Sequence, residues 1–330
     1  MAIISYVKDL FFGSRNKTPL TESEYKQALK QYNLDFVGET FGLARPLAQK
    51  LEDAFPIDYQ LNIYNRMAEE TRYNKRTILE LMFEQKRYLL MASIFKNVPM
   101  FSKHVDEVWH QMLMFTRSYE SFCWNFTDKT IHHEPNVSKK DADDARFHFD
   151  LLYNELFTKS NYRYDAWGTA FRTPPSDKYI LQWEDDSVSS LKERYFLRYT
   201  GNEDLAETII NRIKQAIKDS KSKDLEPEFK KMKKTIEHDR SNTLFNTSSS
   251  SSPHFVPFIF WSADDSNDYD NNLGFAQNTS NHTPSSGCSS HSSPSSHGSG
   301  GGHSCSSGHS CSSSSGGSSC GSSCGSSCGS

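Results

Sequence analysis

The sequence predicts an all-α protein that ends in a low-complexity tail. Apolar residues recur at helical spacing through most of residues 1–240, and capping residues precede several of these runs. Only a short run near residues 179–181 resembles the alternation of a strand. Beyond Asn281 the composition changes to Ser, Gly, Cys and His, which lacks the apolar residues that a core needs.

Start signals and periodicity define the expected helices in chain order. Thr21 and Glu24 form a capping box, which predicts a helix to about residue 32. Residues 77–95 are apolar on nearly every side, which predicts a central helix, and Ser102 is a cap for the next one. An aromatic loop is expected at residues 160–185. The expected helices cover residues 21–32, 77–95, 103–124, 139–158, 187–199 and 203–219.

The charge balance argues against binding to nucleic acid. All 37 Lys and Arg residues lie within residues 1–240, together with all but four of the 41 acidic residues, so this region is neutral. A nucleic-acid-binding domain would have an excess of basic residues or a basic stripe.

Localisation signals are weak, and they favour the cytoplasm. No run of 18 apolar residues occurs, so no transmembrane segment is expected. Residues 1–12 lack a basic start, so they are not expected to be a signal peptide, and their apolar face is expected to dock on the core. In a cytoplasmic protein the cysteines are expected to be thiols.

These observations divide the chain into three parts. Residues 1–240 are the expected helical domain, and residues 241–270 are an expected linker. Within the linker, residues 255–261 are strongly apolar, so we expect them to dock on the body or to bind a protein partner. Residues 271–330 are the expected disordered tail.

One polar motif is a candidate site for a divalent transition metal. Asp106 and His110 are four residues apart, which places them on one face of a helix. His132 and His133 follow after a short connection, and either imidazole would complete a set of three ligands for iron, zinc or manganese. The same pair also fits an oriented general base or a structural hydrogen bond.

Two other residues near this motif receive different interpretations. His148 repeats the four-residue spacing with Asp144, which makes His148 a weaker candidate ligand that would face the first pair across a helix contact. Cys123 follows His110 by 13 residues, about 20 Å along a continuous helix, so we interpret it as a small core residue.

Four motifs together resemble the signature of the glycine-rich domain-containing-protein-like family, and they occupy residues 105–110, 116–123, 132–135 and 145–153. The resemblance covers about residues 70–160. It implies a helical domain, and it includes bacterial members with Cys/Gly-rich C-terminal tails. This chain lacks the glycines that usually flank the histidine pair in that family. The resemblance implies no established activity. The signature positions are Asp106, Trp109, His110, Tyr119, Cys123, His132 and His133.

The tail contains a second candidate site, made of thiols. Flexible thiolates can gather round a soft metal ion. The tail also resembles precursor segments whose Ser and Cys residues a tail-modifying enzyme converts to oxazoles and thiazoles. A disordered solubilising tail is the third reading. The tail cysteines are Cys288, Cys305, Cys311, Cys320, Cys324 and Cys328.

Three classes of function therefore remain open. In the first, the body is a metal-binding domain, with or without enzymatic activity. In the second, it is an interaction scaffold with a structural Asp–His pair. In the third, it is a carrier for a tail that binds metal or is modified.

Overall fold

The structure is a computed structural model, and it describes residues 19–132, 142–158, 164–197, 203–238, 252–264 and 268–273. The predicted all-α class is confirmed. No strand forms within these ranges, where two isolated antiparallel bridges join Thr40 to Phe157 and Phe95 to Phe196. The N-terminal apolar face, His133 and the tail cysteines lie outside these ranges.

The described helices, in chain order, are α1 (Glu22–Gln31), α2 (Arg45–Ala54), α3 (Ile57–Glu70), α4 (Lys75–Ile94), α5 (Lys103–Leu113), α6 (Thr116–Thr127), α7 (Ala142–Leu156), α8 (Tyr164–Trp167), α9 (Asp177–Asp185), α10 (Val188–Tyr195), α11 (Glu203–Ser220), α12 (Glu226–His238), α13 (Phe255–Asp264) and α14 (Tyr269–Asn272). A short 3-10 turn, Gly42–Ala44, precedes α2. None of these helices is long and apolar enough to cross a membrane.

Local capping explains where several helices begin. The Thr21 hydroxyl accepts a hydrogen bond from the Glu24 backbone, and the Glu24 carboxylate accepts one from the Thr21 N–H at 2.8 Å, as a capping box requires. The Ser102 Oγ accepts from the Val105 N–H at 3.1 Å and starts α5. These side chains satisfy backbone donors that have no partner inside the helix.

Two expectations about helix boundaries differ from the structure. The helix expected at 103–124 is two helices, because the chain leaves helical geometry at Phe115 (φ −102°, ψ 62°) between α5 and α6. The loop expected at 160–185 contains α8 and α9. Ser176 follows two prolines and caps α9 by accepting from the Tyr179 N–H at 3.1 Å. The strand-like run near residues 179–181 lies within α9.

The central helix of the first half of the body is α4, which packs against α2, α3 and α5. Its apolar residues are buried on every side, as the sequence predicts. Four consecutive polar residues at 84–87 are buried with them. Burying such groups is costly unless they find partners. Glu84, Lys86 and Arg87 have partners in other parts of the chain, whereas the side-chain amide of Gln85 has no hydrogen-bond partner among the residues that the structure describes.

The apolar segment 255–261 lies within α13, and it packs mainly on α11. The Phe260 ring lies 5.6 Å from the ring of Phe147 in α7, and the Phe255 ring lies 6.2 Å from that of Phe171. The short helix α14 follows and contacts α12 and α13. Residues 252–264 and 268–273 therefore belong to the folded body, although the sequence predicted a linker up to residue 270 and a disordered tail after it.

Candidate functional site

The Asp106–His110 pair lies on the solvent side of α5. The Asp106 Oδ2 and His110 Nδ1 atoms are 3.9 Å apart, which is longer than a hydrogen bond. The His110 side chain is 55% exposed and that of Asp106 is 26% exposed. The helix brings the two groups together as the spacing predicts, in an open position where small rotations of either side chain change the distance.

The structure does not add His132 to this pair as a third ligand. His132 is exposed and follows Ile131, which is buried. Among the residues that the structure describes, no three His, Cys, Asp or Glu side chains lie close enough together to hold a metal ion. A site that includes His133 stays a prediction, because that residue lies outside the described ranges.

The other signature residues support the chain that leads to the histidine pair. The Trp109 Nε1 donates to the Tyr119 hydroxyl at 3.0 Å, and that hydroxyl donates to the Ile131 carbonyl at 2.6 Å. Cys123 is buried beside them, and burial raises the pKa of its thiol. These three side chains hold the backbone just before His132 in place.

His148 lies in a different environment from the one that its spacing suggested. Its Nδ1 forms a 2.8 Å hydrogen bond with the Tyr179 hydroxyl, and its ring lies 4.4 Å from the ring of Tyr195. Asp144 does not pair with it, since the Asp144 carboxylate accepts two 2.7 Å hydrogen bonds from Ser176. Burial lowers the pKa of His148 to about 3, so the ring is neutral at pH 7.

A buried charge network lies in the same helical region, and the sequence reasoning missed it. The guanidinium of Arg87 in α4 contacts the carboxylates of Glu84 and Glu39 and the hydroxyl of Tyr153. Glu84 also accepts hydrogen bonds from Tyr153 at 2.8 Å and from the Trp167 Nε1 at 2.7 Å. The run of polar residues at 84–87 inside an apolar helix was the available signal.

This network has the properties of a structural tie. Burial lowers the pKa of Arg87, but the neighbouring Tyr153, Glu84 and Glu39 outweigh burial and raise it overall, so the guanidinium is charged. The network connects α4 with α7, with α8 and with the segment before α2. The members of the network form hydrogen bonds and ion pairs with one another. The network therefore holds distant parts of the chain in one specific arrangement.

Fold and site together define an all-α protein with a buried charge network and a surface Asp–His pair. A sequence-family model described as UCP032817-like matches residues 51–155. The matched region contains α3, α4, α5 and α6 and most of α7. No curated protein matches the chain. No solved structure matches it either.

Proposed function

We propose that this protein is a carrier, in which the helical body holds a tail that binds soft or borderline transition-metal ions. The observation that supports it most is the packing of α13 and α14 on the body. Leu273 at the end of α14 is buried, and the first tail histidine, His282, follows it by nine residues. The body therefore holds the chain close to the point where the tail ligands begin.

The composition of the tail matches this role. It contains six cysteines and five histidines, and no Lys or Arg follows Arg240. Thiolate and imidazole ligands favour zinc and copper over magnesium or calcium. A His-Ser-Cys sequence occurs at residues 303–305 and again at 309–311, which places two imidazoles and two thiols within one short stretch. Two thiolates and two imidazoles are a common ligand set for zinc.

The body contributes little competition for such ions. Cys123, the cysteine of the described ranges, is buried, and burial raises its pKa, so its thiol is protonated and sheltered. His148 is enclosed by aromatic rings. The tail thiols have only Ser, Gly and His as sequence neighbours, so they are the soft ligands that the proposal assigns.

A second candidate is a metal site on the body itself, formed by Asp106, His110 and either His132 or His133. The 3.9 Å approach of the Asp106 and His110 side chains on an open surface favours it. One divalent ion per body is expected in this case.

Metal titration of the full chain separates the two candidates. Zinc is titrated under reducing conditions against a chromophoric chelator, after intact mass shows an unmodified tail. We expect a variant with all six tail cysteines changed to Ser to lose most binding, and His110→Ala to retain it. Binding that survives in the six-Ser variant and disappears in His110→Ala would place the ion on the body. A wild-type chain that binds neither zinc nor copper(I) would exclude the tail site, and one that also binds neither iron nor manganese would exclude the body site.

A further inference from the structure

The proportion of imidazoles to thiols changes along the tail. Three histidines and one cysteine lie between residues 282 and 297. Residues 303–311, which we call the mixed motif, combine two histidines with two cysteines. Residues 320–328, which we call the thiol motif, contain three cysteines, and no histidine follows His309. The two motifs therefore offer different ligand sets to a metal ion.

The mixed motif matches the ligand requirements of zinc. It contains His-Ser-Cys twice, and the two copies are separated by Ser-Ser-Gly, a sequence that favours a turn. Two imidazoles and two thiolates complete the four-ligand shell of a zinc ion. The resulting complex has no net charge, because two thiolates balance Zn²⁺. A neutral complex suits a tail that contains no Lys or Arg to balance an anionic one.

The thiol motif favours copper(I) instead. Its three cysteines are four residues apart, with Gly-Ser-Ser between them, and glycine gives the chain the conformational freedom to turn between ligands. Thiolates are soft ligands and select copper(I). Structural zinc sites use four protein ligands, so three thiolates would leave a zinc shell incomplete. The thiol motif therefore satisfies copper(I) better than it satisfies zinc.

The described part of the body offers weaker competition for these ions. Cys123 is 1% exposed, and burial raises the pKa of its thiol. The Nδ1 atom of His148 forms a hydrogen bond with the Tyr179 hydroxyl. The Asp106 and His110 side chains together supply two ligands, fewer than either motif. Soft-metal binding to the full chain is therefore expected to report on the tail.

We propose that the mixed motif binds one zinc ion and the thiol motif binds one copper(I) ion, so that the chain holds both metals at the same time. This proposal rests on the carrier function proposed above, and it adds the metal that each motif takes. Each thiol that becomes a ligand loses its proton to solvent, so zinc binding to the mixed motif releases about two protons per ion. A common site formed by all the thiols would bind one metal at the expense of the other.

Competition against chromophoric chelators tests this division in the full chain. The reduced protein, with a tail shown to be unmodified by intact mass, receives one equivalent each of zinc and copper(I) without oxygen, and we expect both to be bound. Changing Cys305 and Cys311 to Ser should weaken zinc binding by about 100-fold or more and leave copper(I) binding unchanged. Changing Cys320, Cys324 and Cys328 to Ser should have the opposite effect. A pH indicator in weak buffer measures the protons released by zinc.

Cys288→Ser is the matched control, because it removes a tail thiol that belongs to neither motif, and it should leave both affinities unchanged. These substitutions lie beyond Leu273, where the described part of the chain ends, so the body is expected to keep its fold. Equal loss of both metals in the two multiple variants would overturn the division into motifs and leave the carrier function standing. Displacement of zinc by one equivalent of copper(I) would have the same consequence. A wild type that binds neither metal would overturn the carrier function and this proposal together.

Discussion

At the scale of single residues, the body depends on polar side chains that are buried with specific partners. Arg87 carries one positive charge between Glu84 and Glu39, and Tyr153 and Trp167 donate further hydrogen bonds to Glu84. Such an arrangement stabilises the fold only while every member is present. If one member is removed, the remaining charges stay buried without a partner, which is destabilising. A substitution of one member is therefore more informative than a count of the contacts.

Replacing the guanidinium tests this dependence directly. We expect Arg87→Met to lower the free energy of unfolding by about 3–5 kcal/mol, because two carboxylates stay buried without their cation. Urea unfolding followed by circular dichroism measures it. The control is Lys86→Met on the same helix, where the lysine makes one ion pair with the partly exposed Glu52, and the expected loss is smaller. Equal losses in the two variants would show that the network adds nothing beyond ordinary packing.

The buried ring of His148 makes stability depend on pH. Its pKa is lowered to about 3 in the folded chain, below the usual value near 6.5. At a pH between these two values, His148 is protonated in the unfolded chain and neutral in the folded chain. The contribution of His148 to stability is complete above about pH 6.5 and is lost as the pH falls toward 3, with a slope of at most about 1.4 kcal/mol per pH unit.

Urea unfolding at several pH values between 4 and 7 checks this sign. We expect His148→Phe to have a shallower dependence on pH than the wild type, because the phenyl ring keeps the aromatic packing and cannot bind a proton. Met114→Ala is the control, since this exposed side chain has no titratable group and its loss should leave the dependence unchanged. If the wild type and His148→Phe have the same slope, the ring is not shielded from water.

At the scale of helices, a lysine from one element completes the end of another. The Lys214 ammonium of α11 donates to the carbonyls of Trp183 at 2.7 Å and of Glu184 and Asp186 at 2.9 Å each. The last carbonyls of a helix have no partner inside it, and a cation there also interacts favourably with the helix dipole. Lys214 thus links the C-terminal end of α9 to α11 by hydrogen bonds. Helix α13 also packs on α11.

Removing this ammonium should weaken the C-terminal half of the body. We expect Lys214→Met to lower the free energy of unfolding by about 1.5–3 kcal/mol, since several hydrogen bonds to a charged group are lost while the aliphatic stem is retained. Thermal melts and urea unfolding both report it. Lys218→Met, one turn further along α11 on an exposed position, should stay within about 0.5 kcal/mol of the wild type. A similar loss in both would indicate a general effect of charge on α11.

At the scale of the whole molecule, residues far apart in the chain close the core together. Phe171 has a left-handed backbone (φ 52°), which is strained for an aromatic residue. The Asp150 carboxylate accepts from its N–H at 2.9 Å, and the Tyr269 hydroxyl of α14 donates to its carbonyl at 2.8 Å. The C-terminal helices thereby hold a strained turn in place, in addition to the apolar burial of α13 on α11.

Two truncations test whether these helices are needed. We expect a fragment that ends at residue 280 to unfold cooperatively, because it keeps α13 and α14. A fragment that ends at residue 240 should melt at a lower temperature or aggregate, because it exposes the apolar surface that α13 covers on α11. Circular dichroism and thermal melts of both fragments measure the difference. Equal cooperative melts would place the end of the folding unit at residue 240, where the change in composition suggested it.

Much of this protein was determined by its sequence alone, wherever the relevant residues are neighbours in the chain. Helical periodicity identified α4 and α11, and the capping residues Thr21 and Ser102 marked where two helices begin. The spacing of Asp106 and His110 placed them side by side, because a helix repeats its face every three to four residues whatever surrounds it.

The tertiary structure alone decided what depends on how helices pack. His148 has the same spacing from Asp144 as His110 has from Asp106, yet its partners come from α9 and α10. The Arg87 network joins groups separated by tens of residues, and no local pattern records that separation. The physical reason is that hydrogen bonds and burial between elements follow from the docking of whole helix faces, whereas sequence spacing reports only the geometry within one helix.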